Sequence, residues 1–310
     1  MKYVLFSKDG AARLGALANR DADVVDLAAA YAAHLKARGV FAAERVAEST
    51  LPPDLVHLLQ AAPISTEAVG HAMAAAAGRA DLAHPRARVK LLAPIRPGKI
   101  VGVRRNYLLH AEEAKRAVTD TPKMFFKLPD AVIGPGEAIE RNITEKLDYE
   151  AEFVVIIGKR AKKVARENAL DCVAGYALGN DVSARELQLD WKPEQTSLAK
   201  SLDTHAPLGP WVATADEFAD APPQVTIKCW VNGELRQNAS TTTMLFDVPL
   251  VVSYISRFVT LHPGDAIYTG TPAGVGAFMN PPGYLKPGDV VKVAADGLGE
   301  LENPVIAARD

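Results

Sequence analysis

From about residue 90 onward the chain breaks into short β-rich segments separated by turn signals, and this texture limits the fold more than any other feature. Apolar runs at 99–103, 124–127, 153–157, 176–178, 225–231, 266–269, 290–293 and 300–305 are each strand-sized. Asn232-Gly233 lies between two alternating runs and predicts a type I′ hairpin, and Asp296-Gly297 does the same near the C-terminus. Pro263-Gly264-Asp265 and Pro287-Gly288-Asp289 punctuate strand starts. One amphipathic helix is expected over 247–259, with Pro249 in its first turn. Strands do not alternate with crossover helices, so a doubly wound sheet is disfavoured. The expected class is α+β, predominantly β.

Residues 1–90 differ. A hairpin is expected from Tyr3 to Phe6, Leu14 to Leu17 and Val24 to Leu27, followed by alanine-rich helices at 27–38 and 66–79 and a shorter helix near 54–61 after Pro52-Pro53. A boundary fits His84-Pro85-Arg86, giving a small N-terminal α+β domain over 1–90 and a larger domain over 91–310. The 35 basic and 37 acidic residues form no basic stripe, which argues against a nucleic-acid partner. No apolar run reaches the length of a bilayer span, and the N-terminus lacks the character of a secretory signal. Cys172 and Cys229 are far apart and form no metal-binding spacing. A cytoplasmic protein with buried thiols is expected.

The most informative segment is Asp148-Tyr149-Glu150-Ala151-Glu152, which leads into the apolar run Phe153-Val154-Val155-Ile156-Ile157. Glu150 and Glu152 are two apart and face the same way on a strand. An isolated pair of this kind is most often two solvated glutamates at a strand end. At the mouth of a buried strand, repulsion and lost hydration call for a hard cation such as Mg²⁺, Mn²⁺ or Ca²⁺. Asp181, at the end of another apolar run, offers a third carboxylate. It would share a face with Arg185 and Gln188 if 182–189 is a short helix, although Asp also suits an ordinary helix cap. Lys200 enters a Pro/Gly-rich loop, where it could balance charge or stabilise an oxyanion. His110 and Glu113 lie three apart and share a helix face, which by itself describes many exposed amphipathic helices.

Taken in order, these segments resemble the fumarylacetoacetate hydrolase family. The resemblance runs from about Lys99 to Val305. It includes Val103-Arg104-Arg105-Asn106-Tyr107 with His110-Ala111-Glu112-Glu113, Phe126-Lys127, Ile133-Gly134-Pro135-Gly136, Asn180-Asp181-Val182-Ser183-Ala184-Arg185, Lys200-Ser201-Leu202-Asp203-Thr204, Val231-Asn232-Gly233, and the stretch from Pro263 to Gly276. It implies a mixed β-sandwich roll, usually dimeric, with Mg²⁺ or a similar ion held by Glu150, Glu152 and Asp181. It also implies that His110, oriented by Glu113, activates water and that Lys200 assists catalysis. Arg105, Tyr107, Arg185, Gln188 and Thr271 become candidate contacts to a small anionic 2-oxo acid. His205 reads as structural.

Two departures stand out. Arg104 occupies a position that is small in many relatives, and Leu128-Pro129-Asp130 replaces small polar residues. The activity expected first is C–C hydrolysis of an acylpyruvate or related diketo acid. Decarboxylase, tautomerase or isomerase, and sugar-acid hydrolase or dehydratase activities would use the same site. A non-catalytic metal-dependent binding protein is a further alternative, disfavoured by the joint presence of His110, Glu113 and Lys200.

Overall fold

A computed structural model describes residues 1–219 and 221–308. The N-terminal region supplies β1 (Lys2–Lys8), β2 (Ala11–Ala18), β3 (Asp23–Asp26), α1 (Leu27–Ala37), α2 (Ala43–Thr50), α3 (Leu55–Gln60), α4 (Ile64–Ala76) and β4 (Ala83–Pro85). There follow β5 (Lys90–Leu92), β6 (Ile100–Arg104), α5 (Leu108–Glu113), β7 (Lys123–Lys127), β8 (Val132–Ile133), β9 (Ile139–Glu140), β10 (Leu147–Asp148), β11 (Ala151–Ile157), β12 (Val173–Asn180) and β13 (Ser183–Ala184). The chain ends with α6 (Thr196–Ala199), β14 (Ala206–Thr214), β15 (Thr226–Val231), β16 (Glu234–Ser240), α7 (Val248–Phe258), β17 (Ala266–Tyr268), β18 (Val290–Ala295) and β19 (Gly299–Ile306). The α+β, predominantly β class holds.

Among the described residues, one large sheet runs in the order β4-β3-β2-β1-β14-β12-β11-β17-β6-β7, with β5 added on β1 and β8 on β14. A second sheet runs β16-β15-β18-β19-β9. The N-terminal hairpin is continuous with the large sheet, because β1 pairs antiparallel with β14 through Lys2↔Ala213 and Tyr3↔Val212. Strand β11 shows why its sequence is apolar throughout. Phe153, Val155 and Ile157 join a core with Ile227 and Val293 of the second sheet and Val252 of α7. Val154 and Ile156 join the opposite core with Leu27, Leu55 and Val69 of the N-terminal helices. A strand covered on both faces needs no polar alternation.

Asn232 and Gly233 adopt positive φ angles of 51° and 81°, as the type I′ turn between β15 and β16 requires. Helix α7 is capped by Asp247, whose side chain accepts from Leu250 N. One helix was not foreseen and one expectation fails. Helix α2 carries little signal in its sequence: it has no side-chain cap and buries only Ala43 and Ala47. The 182–189 segment is not a helix from its start. Ser183 and Ala184 pair with Asp148 and Leu147, which keeps the backbone extended, and a π-type turn follows at Glu186–Asp190.

Candidate active site

The cluster starts from backbone register. Ala151 pairs with Asn180 and Glu152 with Gly179, so the approach to β11 lies beside the end of β12. Asp181 N donates to Glu150 O at 2.8 Å, and Glu150 N donates to Asn180 Oδ1 at 2.9 Å. Glu150, Glu152 and Asp181 are all buried, and one ligand oxygen from each lies within 4.8 Å of the others. Glu152 Oε2 accepts from Gly270 N at 2.7 Å. Gly270 has φ +102°, and a Cβ there would meet the Asn106 Cβ at 2.8 Å, so an L side chain is excluded on two counts.

Buried cations hold part of this charge. Lys200 Nζ donates to Glu150 Oε2 (2.8 Å), Asp181 Oδ2 (2.6 Å) and Ser183 Oγ (2.8 Å), which uses all three of its protons. Lys127 Nζ donates to Asp181 Oδ1 at 2.6 Å and also to Lys200 O. Arg185 lies 2.8 Å from Glu150 Oε1, donates to Gln188 Oε1 at 2.6 Å, and donates through Nε to Asp148 Oδ2 at 2.8 Å. Asp148 is fixed by Gly276 N and Ala277 N at 2.8 and 2.9 Å. The two glutamates respond in opposite directions. Burial pushes the Glu150 carboxyl up, but Lys200 and Arg185 outweigh it and hold it well below the usual carboxylate range. Glu152 is pushed well above that range by burial, then by Asp181 and Glu150.

The donor set fits a hard divalent cation. Its oxygens are all carboxylate, its members converge, and Glu152 carries charge that the protein's own cations leave uncompensated. The nearby Tyr107 hydroxyl is buried without a hydrogen-bond partner, and burial followed by Glu152 raises its pKa.

A cavity of about 280 Å³ opens beside the cluster, and Glu150, Arg185, Gln188, Lys200 and Thr271 reach its wall. His110 lines it from α5. Its Nδ1 lies 2.7 Å from Glu113 Oε1, and Glu113 Oε2 accepts from Gly274 N at 3.0 Å. Arg105 lines the cavity with φ +52°, whereas Tyr107 packs in the core. The Thr271 hydroxyl is engaged already, donating to Ala151 O and accepting from Gln237 Nε2. His205 is buried and donates through Nε2 to Glu140 O at 3.1 Å, away from the carboxylates. Sequence reasoning did not single out Lys127 or Asp148 as parts of the site. A lysine closing a β-run at Phe126-Lys127, and an acid immediately before Tyr149-Glu150, were the available signals.

Among the described residues no helix is long and apolar enough to cross a membrane. The family described as fumarylacetoacetate (FAA) hydrolase C-terminal matches residues 99–306. The mitochondrial oxaloacetate tautomerase fahd2 of Xenopus laevis is 42% identical over 223 residues, covering 71% of this chain and 70% of its own. Among solved structures, the fumarylacetoacetate hydrolase of psychrophilic Exiguobacterium antarcticum superposes with a TM-score of 0.78 at 35% identity and full coverage of both chains. The maleylpyruvate hydrolase of Sphingobium sp. SYK-6, in complex with manganese(II) and pyruvate, gives 0.75 at 29% identity, again over both whole chains. With its carboxylate cluster in place and two thirds of its length matched, the chain belongs to the fumarylacetoacetate hydrolase family.

Proposed function

We propose that the protein is a divalent-metal-dependent tautomerase of a small anionic 2-oxo acid of the oxaloacetate type. One observation carries this reading: His110, braced by Glu113, lines the same cavity as Glu150 of the carboxylate cluster. The Xenopus laevis relative is named an oxaloacetate tautomerase, and this supports the choice of activity.

Glu150, Glu152 and Asp181 would hold the ion, with Mg²⁺ first and Mn²⁺ or Ca²⁺ as alternatives; once bound, it supplies Lewis acidity toward the keto oxygen. Arg185 and Lys200 draw the anionic substrate toward the cluster. Glu113, fixed by Gly274 N, holds the His110 ring by Nδ1 and leaves Nε2 for the cavity. In the keto-to-enol direction His110 removes a proton from the carbon next to the keto group and the keto oxygen gains one. In the enol-to-keto direction the enol oxygen gives up its proton and protonated His110 returns one to that carbon. Neither direction consumes anything. Free, buried Cys172 and Cys229 suit a reducing compartment.

Hydrolysis of an acylpyruvate is the second reading. The same His110 Nε2 can activate water instead of carbon, and the Sphingobium relative is named a maleylpyruvate hydrolase. The test uses chelator-treated protein, with and without Mg²⁺ or Mn²⁺, beside His110→Ala. Enol oxaloacetate and acetylpyruvate are followed by ultraviolet absorbance. Metal-dependent loss of the enol, lowered about 10²–10⁴-fold in His110→Ala, supports the tautomerase. Release of pyruvate and acetate from acetylpyruvate without enol turnover selects the hydrolase. Full metal-free activity overturns both.

A further inference from the structure

Beyond the carboxylate cluster, the cavity wall carries one acid, Glu194, against a majority of cations. Arg104, Arg105, Arg116 and Lys123 line it, and among the described residues none of them forms an ion pair with a carboxylate. Arg104 is the best placed. It ends β6, is partly buried, and donates from Nη1 to Thr196 Oγ1 at 3.1 Å, at the start of α6. A guanidinium carries five N–H donors. Arg104 hydrogen-bonds only to a neutral hydroxyl, stands beside a second arginine, and feels the cavity-lining Glu150 and Glu194 only from beyond ion-pair distance. Its charge and its planar fork are therefore left for something that enters the cavity.

We propose that Arg104 is the residue that reads the distal carboxylate of the oxaloacetate-type substrate, and so sets the margin by which 2-oxo dicarboxylates are preferred to 2-oxo monocarboxylates. This rests on the reading of the site as an oxaloacetate-type enzyme and names the residue that reads the substrate's far end. The 2-oxo carboxylate end lies toward Glu150, Glu152 and Asp181, and the distal carboxylate lies on the Arg104 fork. The bond to Thr196 fixes the direction of that fork. Arg105, Arg116 and Lys123 add a field that favours the more highly charged anion.

Oxaloacetate and 2-oxobutyrate test this directly, because they have the same carbon skeleton and differ in a terminal carboxylate against a terminal methyl. Enolisation of both by Mg²⁺-loaded wild type, Arg104→Gln, Arg104→Lys and Thr196→Val is measured by absorbance and by deuterium exchange. Arg104→Gln should raise KM for oxaloacetate about tenfold to hundredfold, as expected for loss of a charge-assisted hydrogen bond. It should leave 2-oxobutyrate within about twofold by the same argument. Arg104→Lys should recover part of the preference, since lysine keeps the charge and loses the fork.

The ratio of the two substrates is read on one enzyme population, so partial misfolding cannot produce it. Equal losses on both substrates in Arg104→Gln, reproduced by Thr196→Val, would make Arg104 a clasp between β6 and α6 and overturn the proposal. Calorimetric titration of 2-oxoglutarate and 2-oxobutyrate reads recognition without turnover. If wild type enolises neither acid, yet Arg104→Gln selectively loses 2-oxoglutarate, the enzymatic reading falls and the recognition stands. If 2-oxoglutarate affinity is unchanged by Arg104→Gln, the recognition falls.

Discussion

Exchanging Glu152 for glutamine should stabilise the metal-free protein and abolish its response to metal. The amide keeps an acceptor for Gly270 N–H and stays neutral without drawing a proton from solution, in a cluster whose ligand oxygens lie within 4.8 Å of one another. At that spacing a like-charged pair costs about 3.5 kcal/mol with an effective dielectric of about 20. Burial is the largest cost to an ionised Glu152, Asp181 and Glu150 add to it, and Lys200 offsets part of the total. The net gain is about 2–3 kcal/mol, an apparent Tm rise of several degrees.

The sign with pH follows from the raised Glu152 pKa. The folded protein holds this proton where the unfolded chain has released it, so the carboxylate costs stability increasingly as pH rises above the usual range, until the folded-state pKa is passed. The advantage of Glu152→Gln should therefore vanish near pH ~4 and grow by about 1.4 kcal/mol per pH unit above it. Metal acts in the opposite direction. Mg²⁺ at a hundred times its Kd should stabilise wild type by about 2.7 kcal/mol and the variant by much less. Thermal denaturation of chelator-treated protein across this pH range, with and without Mg²⁺, measures both effects. A variant less stable than wild type in chelator at neutral pH, or one with an undiminished Mg²⁺ shift, would refute the reasoning.

Two further outcomes are expected. The buried His205 is pushed down to about 3 by burial and then by Lys127, so the unfolded chain takes up a proton below pH 6.5 that the folded chain refuses. Wild type should lose about 2 kcal/mol between pH ~7 and ~5 that His205→Gln does not lose, measured by denaturant unfolding; parallel slopes would contradict this. Gly274 has φ +105°, and a Cβ there would lie 2.0 Å from Arg236 O, while its N–H holds Glu113. Gly274→Ala should cost about 1–3 kcal/mol of stability and lower kcat at least ~10-fold, because the brace on His110 shifts; calorimetry and steady-state rates check it, and an unchanged kcat would sever Glu113 from the reaction.

How far the sequence led depended on whether a signal was local. The Asn232-Gly233 turn, helix α7 with Pro249 in its first turn and the buried run of β11 are written in neighbouring residues, and each was legible. Glu150 and Glu152 were legible as a pair because a two-residue spacing on a strand is itself geometry. Their meeting with Asp181 depends on the pairing of β11 with β12, which no spacing encodes, and family resemblance supplied it. Lys127 shows the limit. Its sequence neighbourhood is that of an exposed strand-end lysine, yet it is buried against Asp181, 54 positions away in the chain. Asp148 is hidden in the same way, because its partners Arg185, Gly276 and Ala277 converge from two distant segments. The continuity of β1 with β14 escaped for a third reason. A change in composition near residue 90 marks a change of texture, and backbone hydrogen bonding across Tyr3 and Val212 is indifferent to it. The residues missed are those whose charge is matched across the fold rather than along the chain.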